Sequence, residues 1–368
     1  MAAQRLLKLQ SLMASFGFQA IAINAGGWLK YITGLEFHLS ERPIILLVPQ
    51  NGEPALFFPK LEQQKAISAN IPLKLFAYGE DSKEWADNLR SAMDELGLNG
   101  KAIGVPPESM RFLELELLKN ASDSLHFSSA AELFKKLIIQ KDKIEIDCIK
   151  KAVSIAEKAL LALLSSPISG CTEREIANRL VIKLLENGSE PNLPFNPIIA
   201  SGANSANPHA VPGDRVILEG DLVVIDWGAT VGGYISDITR TFQVGHINQN
   251  FERIAEVVLQ ANHAAREIAK PGISASVVDG AARSVITAAG YADYFTHRTG
   301  HGIGMFAHEE PYISKTSQTE LAPGMVFTIE PGIYFPDRGG IRIEDDVLIS
   351  MGGVETLTSL PRKIMAIN

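Results

Sequence analysis

The sequence predicts a two-domain protein of the α/β (α+β) class, with an N-terminal domain over residues 1–135 and a larger domain over residues 136–368. In the first part, apolar strand-like runs alternate with helix-like segments, which is the pattern of a mixed sheet covered by helices. In the second part, a pair of helices followed by strands occurs twice. The 368 residues are enough to bury a core in each domain.

Composition and charge exclude several classes of protein. A hydrophobic content of 46% and a charged content of 21% are ordinary for a globular chain. The net charge of −8 argues against a nucleic-acid partner, because phosphate binding requires a basic face. No apolar run reaches membrane-spanning length, and the N-terminal segment lacks the continuous apolar core of a signal peptide. We therefore expect a cytoplasmic protein with no nucleic-acid partner and no membrane partner.

The N-terminal domain begins with an amphipathic segment over residues 3–15, in which apolar residues recur at helical spacing. A second helix is predicted over Lys83–Leu96. Apolar runs bounded by turn residues predict the strands of the sheet: Ala20–Asn24, Ile44–Val48, Ala55–Phe58, Leu73–Ala77 and Ala102–Val105. No group of residues in this domain indicates a catalytic site.

The second domain contains two predicted helix pairs. Their bounds are Ile144–Leu164 with Glu173–Glu186, and Phe251–Ala269 with Ser274–Ala289. A glycine, a hydroxyl residue at the N-cap and a terminating glycine frame the second helix of each pair, 102 positions apart: Gly170, Thr172 and Gly188, then Gly272, Ser274 and Gly290. Strands follow each pair. We therefore predict two related halves that face each other across a crevice.

Two carboxylates lie in the strand pair predicted over Leu222–Phe242, which reverses at Gly232-Gly233. Asp226 ends an apolar strand, and Asp237 lies between isoleucines on the returning strand. A carboxylate among apolar residues is costly to desolvate unless a cation or hydrogen-bond donors compensate it. The pair therefore indicates a divalent cation between them. The alternative is a solvated loop with two surface aspartates.

Three further side chains extend this set. His301 is flanked by glycines, Glu330 ends an apolar run before Pro-Gly, and Glu344 belongs to an alternating segment. Each signal alone is weak. Together with the aspartates they make four carboxylates and one imidazole, which favours Mn²⁺, Co²⁺ or Zn²⁺, and two divalent ions balance the charge. The two cysteines, in no CxxC motif, exclude a thiolate zinc site.

The glycines near His301 also match the letters of a dinucleotide motif, G-x-G-x-x-A, at Gly302, Gly304 and Ala307. That motif must follow a buried strand and open a helix. Here it follows a polar, aromatic segment and precedes Pro311, so we reject nucleotide binding.

The order of these motifs resembles the pita-bread metallopeptidases. The residues and motifs that match this family are Asp226, Asp237 eleven positions later, GHGIG with His301, HEEP with His308, EPG with Glu330, and RIED with Arg342 and Glu344. An α/β domain ahead of this core is similar to that of the Xaa-Pro aminopeptidase and prolidase branch. The resemblance implies a creatinase-like α/β domain followed by a pseudo-two-fold pita-bread catalytic domain.

The resemblance also implies roles for individual residues. Two divalent ions, with Mn²⁺ favoured over Co²⁺ or Zn²⁺, would be held by Asp226, Asp237, His301, Glu330 and Glu344. A hydroxide between the ions would be the nucleophile. His209 and His308 match histidines that contact the substrate, and Tyr334 and Arg342 match positions beside the metals. A homodimer is the common assembly of this family.

The substrate implied by the resemblance is a peptide with proline in the second position, and the implied enzyme is a metallo-aminopeptidase. The alternative is a prolidase, which must bind the free carboxylate of an Xaa-Pro dipeptide, usually with an arginine. Prolidases of this branch place an arginine shortly after the HExP motif, where this sequence has Tyr312. We therefore expect an aminopeptidase that accepts longer chains. The alternative remains that a loop difference moves another cation into place, with Arg298 and Arg342 near in motif order.

Three other functions are less consistent with the residues. Methionine aminopeptidases usually lack an N-terminal domain of this length, and a creatinase-type reaction dispenses with the metal ligands. A catalytically inactive binding scaffold, as in relatives that act as histone chaperones, would not need all five ligand positions.

Overall fold

The structure is a computed structural model, and it describes residues 2–122, 126–246 and 248–368. The chain forms two compact units, Met1–Ile138 and Ile139–Asn368, each with its own hydrophobic core. Among the described residues, no helix is both long enough and apolar enough to cross a membrane.

The first unit is a mixed sheet with helices. The helices are α1 (Ala2–Phe16), α2 (Gly27–Thr33), α3 (Gln63–Ile67), α4 (Trp85–Glu95), α5 (Phe112–Ala121) and α6 (Ala131–Ile138). The strands are β1 (Ala20–Asn24), β2 (Ile45–Pro49), β3 (Ala55–Pro59), β4 (Lys74–Tyr78), β5 (Ala102–Val105) and β6 (His126–Ser129). Their order in the sheet is β4-β3-β2-β1-β5-β6.

The centre of this sheet is buried on both faces. Every residue of β1, β2 and β3 is buried, as expected for strands covered on two sides. The predicted strands agree with β1 to β5 within one residue at each end. The prediction missed β6 and the helices α2, α3 and α5; of these, β6, α2 and α3 are too short for a clear periodic signal.

The second unit carries the long helices. They are α7 (Lys143–Leu164), α8 (Glu173–Glu186), α9 (Gln249–Ile268) and α10 (Ala275–Ala288), within two residues of the predicted bounds. Capping boxes begin α7 at Asp142 and α8 at Thr172. Thr172, the predicted N-cap of α8, forms its box with Glu175.

The strands of the second unit form two larger sheets and two small ladders. The strands are β7 (Ile198–Ser201), β8 (Leu222–Trp227), β9 (Thr230–Val231), β10 (Tyr234–Ile235), β11 (Ile238–Val244), β12 (Gly300–Gly302), β13 (Glu309–Ile313), β14 (Val326–Ile329), β15 (Gly332–Phe335), β16 (Gly339–Arg342), β17 (Asp345–Ser350), β18 (Gly353–Thr356) and β19 (Met365–Ile367). The sheet orders are β19-β11-β8-β7 and β13-β12-β14-β17-β18. The pairs β9–β10 and β15–β16 form the ladders.

Each larger sheet packs against one helix pair. Leu160 of α7 and Leu180 of α8 share a core with Trp227 of β8. Val278 of α10 shares a second core with Phe327 of β14. These two helix-on-sheet halves are the repeat predicted from the sequence, and they make the pita-bread architecture.

The backbone of the repeat is preserved more closely than its side chains. The framing glycines all have φ between 79° and 99°, in the left-handed region that favours glycine: Gly170, Gly188, Gly272 and Gly290. Thr172 caps α8 with its side chain, whereas Ser274 occupies the N-cap of α10 without a capping hydrogen bond. A hydroxyl residue therefore occupies the predicted N-cap position in both halves, but only Thr172 makes the capping hydrogen bond.

A buried arginine ties the two halves together. Thr239 of β11 and Glu344 form an isolated antiparallel bridge between the sheets. The next residue, Arg240, is 2% exposed and donates to the carbonyl of Glu344 and to Asp345 Oδ1 at 2.6 and 2.9 Å. It also donates to three other carbonyl oxygens. This contact holds the strand ends that carry the site described below.

We expect Arg240→Met to lower the free energy of unfolding by about 3 kcal/mol or more, because it leaves buried carbonyls and part of the Asp345 carboxylate without a donor. The matched control is Arg174→Met, which removes an exposed pair with Asp214 and should cost less than about 1 kcal/mol. Urea unfolding monitored by fluorescence measures both. Equal midpoints for the two variants would contradict the assigned role of Arg240.

Candidate metal centre and active site

The five side chains predicted as metal ligands meet in one cleft. Asp226 lies in β8 and Asp237 directly precedes β11, in the first half. His301 lies in β12, Glu330 follows β14 and Glu344 lies between β16 and β17, in the second half. All five line a cleft of about 490 Å³. The crevice predicted between the halves is therefore present, and it is strongly acidic.

The segment that carries the two aspartates is more elaborate than the predicted hairpin. β8 and β11 pair antiparallel, with Asp226 opposite Thr239. The chain between them forms the β9–β10 ladder and reverses at Gly232 and Gly233, whose φ values are 61° and 78°. The reversal is thus where the glycines predicted it, and the extra ladder carries Asp237 back towards Asp226.

Glycines on both sides of His301 allow close strand packing. A Cβ on Gly300 would collide with the carbonyl oxygen of Thr328, and one on Gly302 with that of Glu310. β12 can therefore lie between β13 and β14, which brings the His301 imidazole into the cleft. The same segment is a strand that opens no helix, consistent with the rejected nucleotide motif.

The imidazole of His301 has the orientation of a metal ligand. Its Nδ1 lies 3.2 Å from the carbonyl oxygen of Gly302, which fixes the proton on Nδ1. Its Nε2 lies 3.7 Å from Asp237 Oδ2 and 3.5 Å from Glu330 Oε1. Ligand atoms of Asp237, His301 and Glu344 all lie within 4.8 Å of one another. An unprotonated nitrogen thus faces several carboxylate oxygens.

The clustered carboxylates of the centre favour the binding of cations. Burial, and then repulsion from Glu344 and Asp226, raise the pKa of Asp237 well above its usual range. Burial and the neighbouring carboxylates likewise raise the pKa of Glu344, and the pKa of Glu330 reaches about 7. Burial lowers the pKa of His301 to about 3, so its nitrogen is free to coordinate. Divalent ions would supply the missing positive charge, and the residues present fit them.

Hydrogen bonds hold some ligand oxygens and leave others available. Arg342 Nη2 donates to Asp226 Oδ2 at 2.7 Å, and Thr239 Oγ1 donates to Glu344 Oε2 at 2.6 Å. Among the described residues, Asp226 Oδ1 is buried and accepts no hydrogen bond. Arg342 Nη1 also donates to the hydroxyl of Tyr334 at 3.0 Å. Arg342 and Tyr334 therefore lie beside the centre, where the resemblance placed them.

Two histidines predicted to contact substrate lie at the mouth of the cleft. His209 and His308 are both exposed and both line it. The ring of His308 packs edge-on against that of His301, with 4.3 Å between centroids. Burial and the nearby Arg298 lower the pKa of His308. Both imidazoles therefore share the cleft with the five predicted ligands.

A buried carboxylate anchors the loop that carries His209. Glu173, at the first turn of α8, accepts hydrogen bonds from the backbone and hydroxyl of Ser201, from Asn204 and from the N–H of Gly213. These contacts bracket the loop on both sides of His209. The position of the histidine is therefore set by the helix start of the same half.

Two further residues line the cleft: His297, for which the sequence indicated no role, and Arg298, which it offered only as an alternative cation. His297 Nδ1 lies 2.7 Å from the Arg298 carbonyl oxygen and Nε2 lies 2.9 Å from the hydroxyl of Tyr334. Burial lowers the pKa of His297 to about 4, so the neutral ring accepts from Tyr334. Arg298 stacks on the ring of Tyr312, 4.3 Å from its centroid. The sequence feature that could have identified both as cleft residues is their position directly before the Thr299–Gly304 segment that carries His301.

Comparisons with known proteins agree with this architecture. The model of metallopeptidase family M24 matches residues 147–351, and that of the Creatinase/Prolidase N-terminal domain matches residues 5–137. A curated Xaa-Pro dipeptidase from Pyrococcus horikoshii is 38% identical over 98% of this chain and 99% of its own.

Solved structures give the same result. A dipeptidase from Pyrococcus horikoshii superposes with a TM-score of 0.93 at 38% identity, covering 99% of this chain and 100% of the other. An X-Pro aminopeptidase from Thermotoga maritima superposes with a TM-score of 0.87 at 31% identity, covering 100% and 99%. The predicted fold, a creatinase-type domain followed by a pita-bread domain, is confirmed. The chain therefore belongs to metallopeptidase family M24.

Proposed function

We propose that this metallopeptidase is an Xaa-Pro dipeptidase, or prolidase, which was the alternative to the aminopeptidase expected from the sequence. The observation that carries the proposal is the similarity, over nearly the full length of both chains, to a protein named Xaa-Pro dipeptidase. The neutral Tyr312 had favoured an aminopeptidase. That argument assumed that no other cation replaces the missing arginine, and Arg298 lines the same cleft.

The proposed ligands of two divalent ions, with Mn²⁺ favoured, are Asp226, Asp237, His301, Glu330 and Glu344. Bound ions would supply Lewis acidity, which lowers the pKa of a water and stabilises negative charge on the attacked carbonyl. The support is the convergence of four carboxylates and a neutral imidazole, with an unbonded Asp226 oxygen among the described residues.

The chain's own residues would bind and orient the peptide. The proline ring needs an apolar surface and its amide nitrogen carries no proton. Phe195, Ile198 and Pro208 give the cleft an apolar side. His308, next to the ligand His301, is placed to hydrogen-bond the scissile carbonyl. His209, on the loop anchored by Glu173, is placed to contact the leaving-group side.

An Xaa-Pro aminopeptidase is the second candidate, and one observation favours it. The X-Pro aminopeptidase from Thermotoga maritima shares the fold over essentially the whole chain. The two functions differ in the group that follows proline: a free carboxylate in a dipeptide, or a continuing peptide bond in a longer substrate.

A substrate panel tests the proposal. With Mn²⁺ supplied, we expect kcat/KM for Ala-Pro to exceed that for Ala-Pro-Gly by about tenfold or more, because a charge-assisted contact to the carboxylate is lost in the tripeptide. Ala-Ala and Met-Ala-Gly are the controls for proline specificity. Equal or faster cleavage of Ala-Pro-Gly would make the protein an aminopeptidase, and preferred cleavage of Met-Ala-Gly would place it with the methionine aminopeptidases.

A further inference from the structure

One cation in the acidic cleft forms no salt bridge with a carboxylate among the described residues. The guanidinium of Arg298 is half-buried and lines the cleft together with His308 and Glu330. Within residues 2–122, 126–246 and 248–368, it forms no salt bridge, and its recorded side-chain contact is the stack on Tyr312. Its charge also attracts the Glu330 carboxylate, but without a direct ion pair, so its N–H donors are left for a bound anion.

The other arginine that lines the cleft, and one nearby in sequence, already have hydrogen-bond partners. Arg342 donates to Asp226, Thr239 and Tyr334. Arg283, close in sequence to Arg298, makes a two-point contact with Asp279. Arg298 is therefore the cleft-lining arginine, among those described, whose donors remain available to a bound molecule.

Strand pairing sets the place of this guanidinium. β12 and β13 run antiparallel, with Gly300 opposite Ile313, and the Thr299 N–H donates to the Ile313 carbonyl oxygen at 2.9 Å. Arg298 and Tyr312 thus lie side by side at the end of the ladder. The backbone N–H of Tyr312 donates to Glu310 Oε2 at 2.9 Å, which fixes the strand under the ring. The aromatic face restricts the guanidinium and leaves its N–H edge free.

The chemistry of the substrate supplies the missing anion. A dipeptide carries one carboxylate, on its second residue, at the far end from its amine. Two divalent ions would balance the four ligand carboxylates, so the loaded centre has no net positive charge to attract a further carboxylate, which needs a cation of its own. An arginine edge offers two parallel donors to such a group.

We propose that Arg298, held on the ring of Tyr312, binds the free α-carboxylate of the substrate and thereby selects dipeptides over longer chains. The inference rests on the proposed dipeptidase function and deepens it. Arg298 is the binding residue, and Tyr312 is a positioning residue that acts through it. Tyr312 therefore contributes to carboxylate recognition by holding Arg298 against its ring, without carrying a charge itself.

The test compares Ala-Pro with its carboxamide, Ala-Pro-NH₂, in the Mn²⁺-loaded full-length protein. We expect Arg298→Gln to lower kcat/KM for Ala-Pro by about 10²-fold, mainly through KM, and that for Ala-Pro-NH₂ by less than about threefold. Inhibition by free proline should weaken in parallel. The matched control is Arg338→Gln, an exposed arginine 6.0 Å from the Phe335 centroid and outside the cleft, which should change neither value.

Variants of Tyr312 test whether its ring positions Arg298. Tyr312→Leu should reduce the Ala-Pro to Ala-Pro-NH₂ selectivity by about tenfold, and Tyr312→Phe should retain more of it because the ring persists. Metal content and melting temperature of each variant, measured alongside, report on folding.

The outcomes separate this inference from the proposed function. Equal losses on both substrates, or no loss on Ala-Pro, would overturn the role of Arg298 while the dipeptidase proposal stands. Wild-type protein that prefers Ala-Pro-Gly would overturn the dipeptidase proposal and, with it, selection of dipeptides by Arg298; the comparison of acid with amide would then decide only whether Arg298 binds a carboxylate. Hydrolysis of no Xaa-Pro substrate would overturn both.

Discussion

Chelation of divalent ions should abolish hydrolysis of Xaa-Pro peptides, and Mn²⁺ or Co²⁺ should restore it. The centre places four carboxylates and a neutral imidazole in one cleft, and burial with mutual repulsion raises the pKa values of Asp237, Glu330 and Glu344. Such a cluster is chemically suited to bind cations and offers no protein nucleophile of its own. Activity before and after dialysis against a chelator, with metal analysis, measures the effect.

Asp237→Asn sharpens this prediction. The substitution keeps the size of the side chain and removes one negative charge from the centre, so we expect loss of most of the bound metal and of activity by about 10³-fold or more. Asp214→Asn, at an exposed salt bridge, is the matched control and should retain both. Full activity in protein shown by analysis to be metal-free would refute the metallopeptidase mechanism.

Metal removal should also make stability depend on pH. The pKa of Glu330 is raised to about 7 in the ion-free centre, so its protonated form is favoured in the folded state. A group with a raised folded pKa stabilises the protein at low pH and loses that contribution as pH rises through the folded pKa. Metal-free protein should therefore melt at lower temperature at pH 8 than at pH 6, and added Mn²⁺ should reduce the difference. A melting temperature that rises with pH in the metal-free protein would contradict this charge assignment.

His308→Ala and His209→Ala should each lower kcat by about 10²–10⁴-fold if the imidazoles take part in proton transfer or hydrogen bonding to the reacting amide. Both histidines line the cleft, and neither is among the five proposed ligands. Metal content should therefore stay near that of the wild type. Steady-state kinetics with metal analysis separates the two effects.

The control for these substitutions is His263→Ala, an exposed histidine on α9 whose side chain is 61% accessible. It should keep full activity. Loss of bound metal in His209→Ala or His308→Ala would show that the histidine is a ligand and that its assigned role is wrong.

Much of the architecture could be predicted because its signals are local. Helical periodicity and capping residues gave the four long helices of the second unit within two residues. Alternating or continuous apolar runs gave β1 to β5 of the first unit within one residue, and β6 was missed. The β9–β10 and β15–β16 ladders were not predicted, since two- to four-residue strands carry too little periodicity.

The alternation in the segment around Glu344 was also informative. In this alternating segment Arg342, Glu344 and Asp346 share one face: Arg342 donates to Asp226, Glu344 lines the cleft, and Asp346 Oδ2 accepts from the N–H of Asp237 at 3.1 Å. A period of two residues follows from strand geometry alone, so neighbouring sequence was sufficient.

The sequence by itself determined which side chains have the chemistry of a metal site and which segments carry them, because residue type, spacing and periodicity are properties of short stretches of chain. Only the tertiary structure decided that Arg298 stacks on Tyr312 beside that site. The two residues are separated by a turn and meet through the register of β12 and β13, which depends on hydrogen bonds and packing across the sheet. In the sequence, the neutral Tyr312 argued against binding of a substrate carboxylate. In the fold, its ring supports the guanidinium of Arg298.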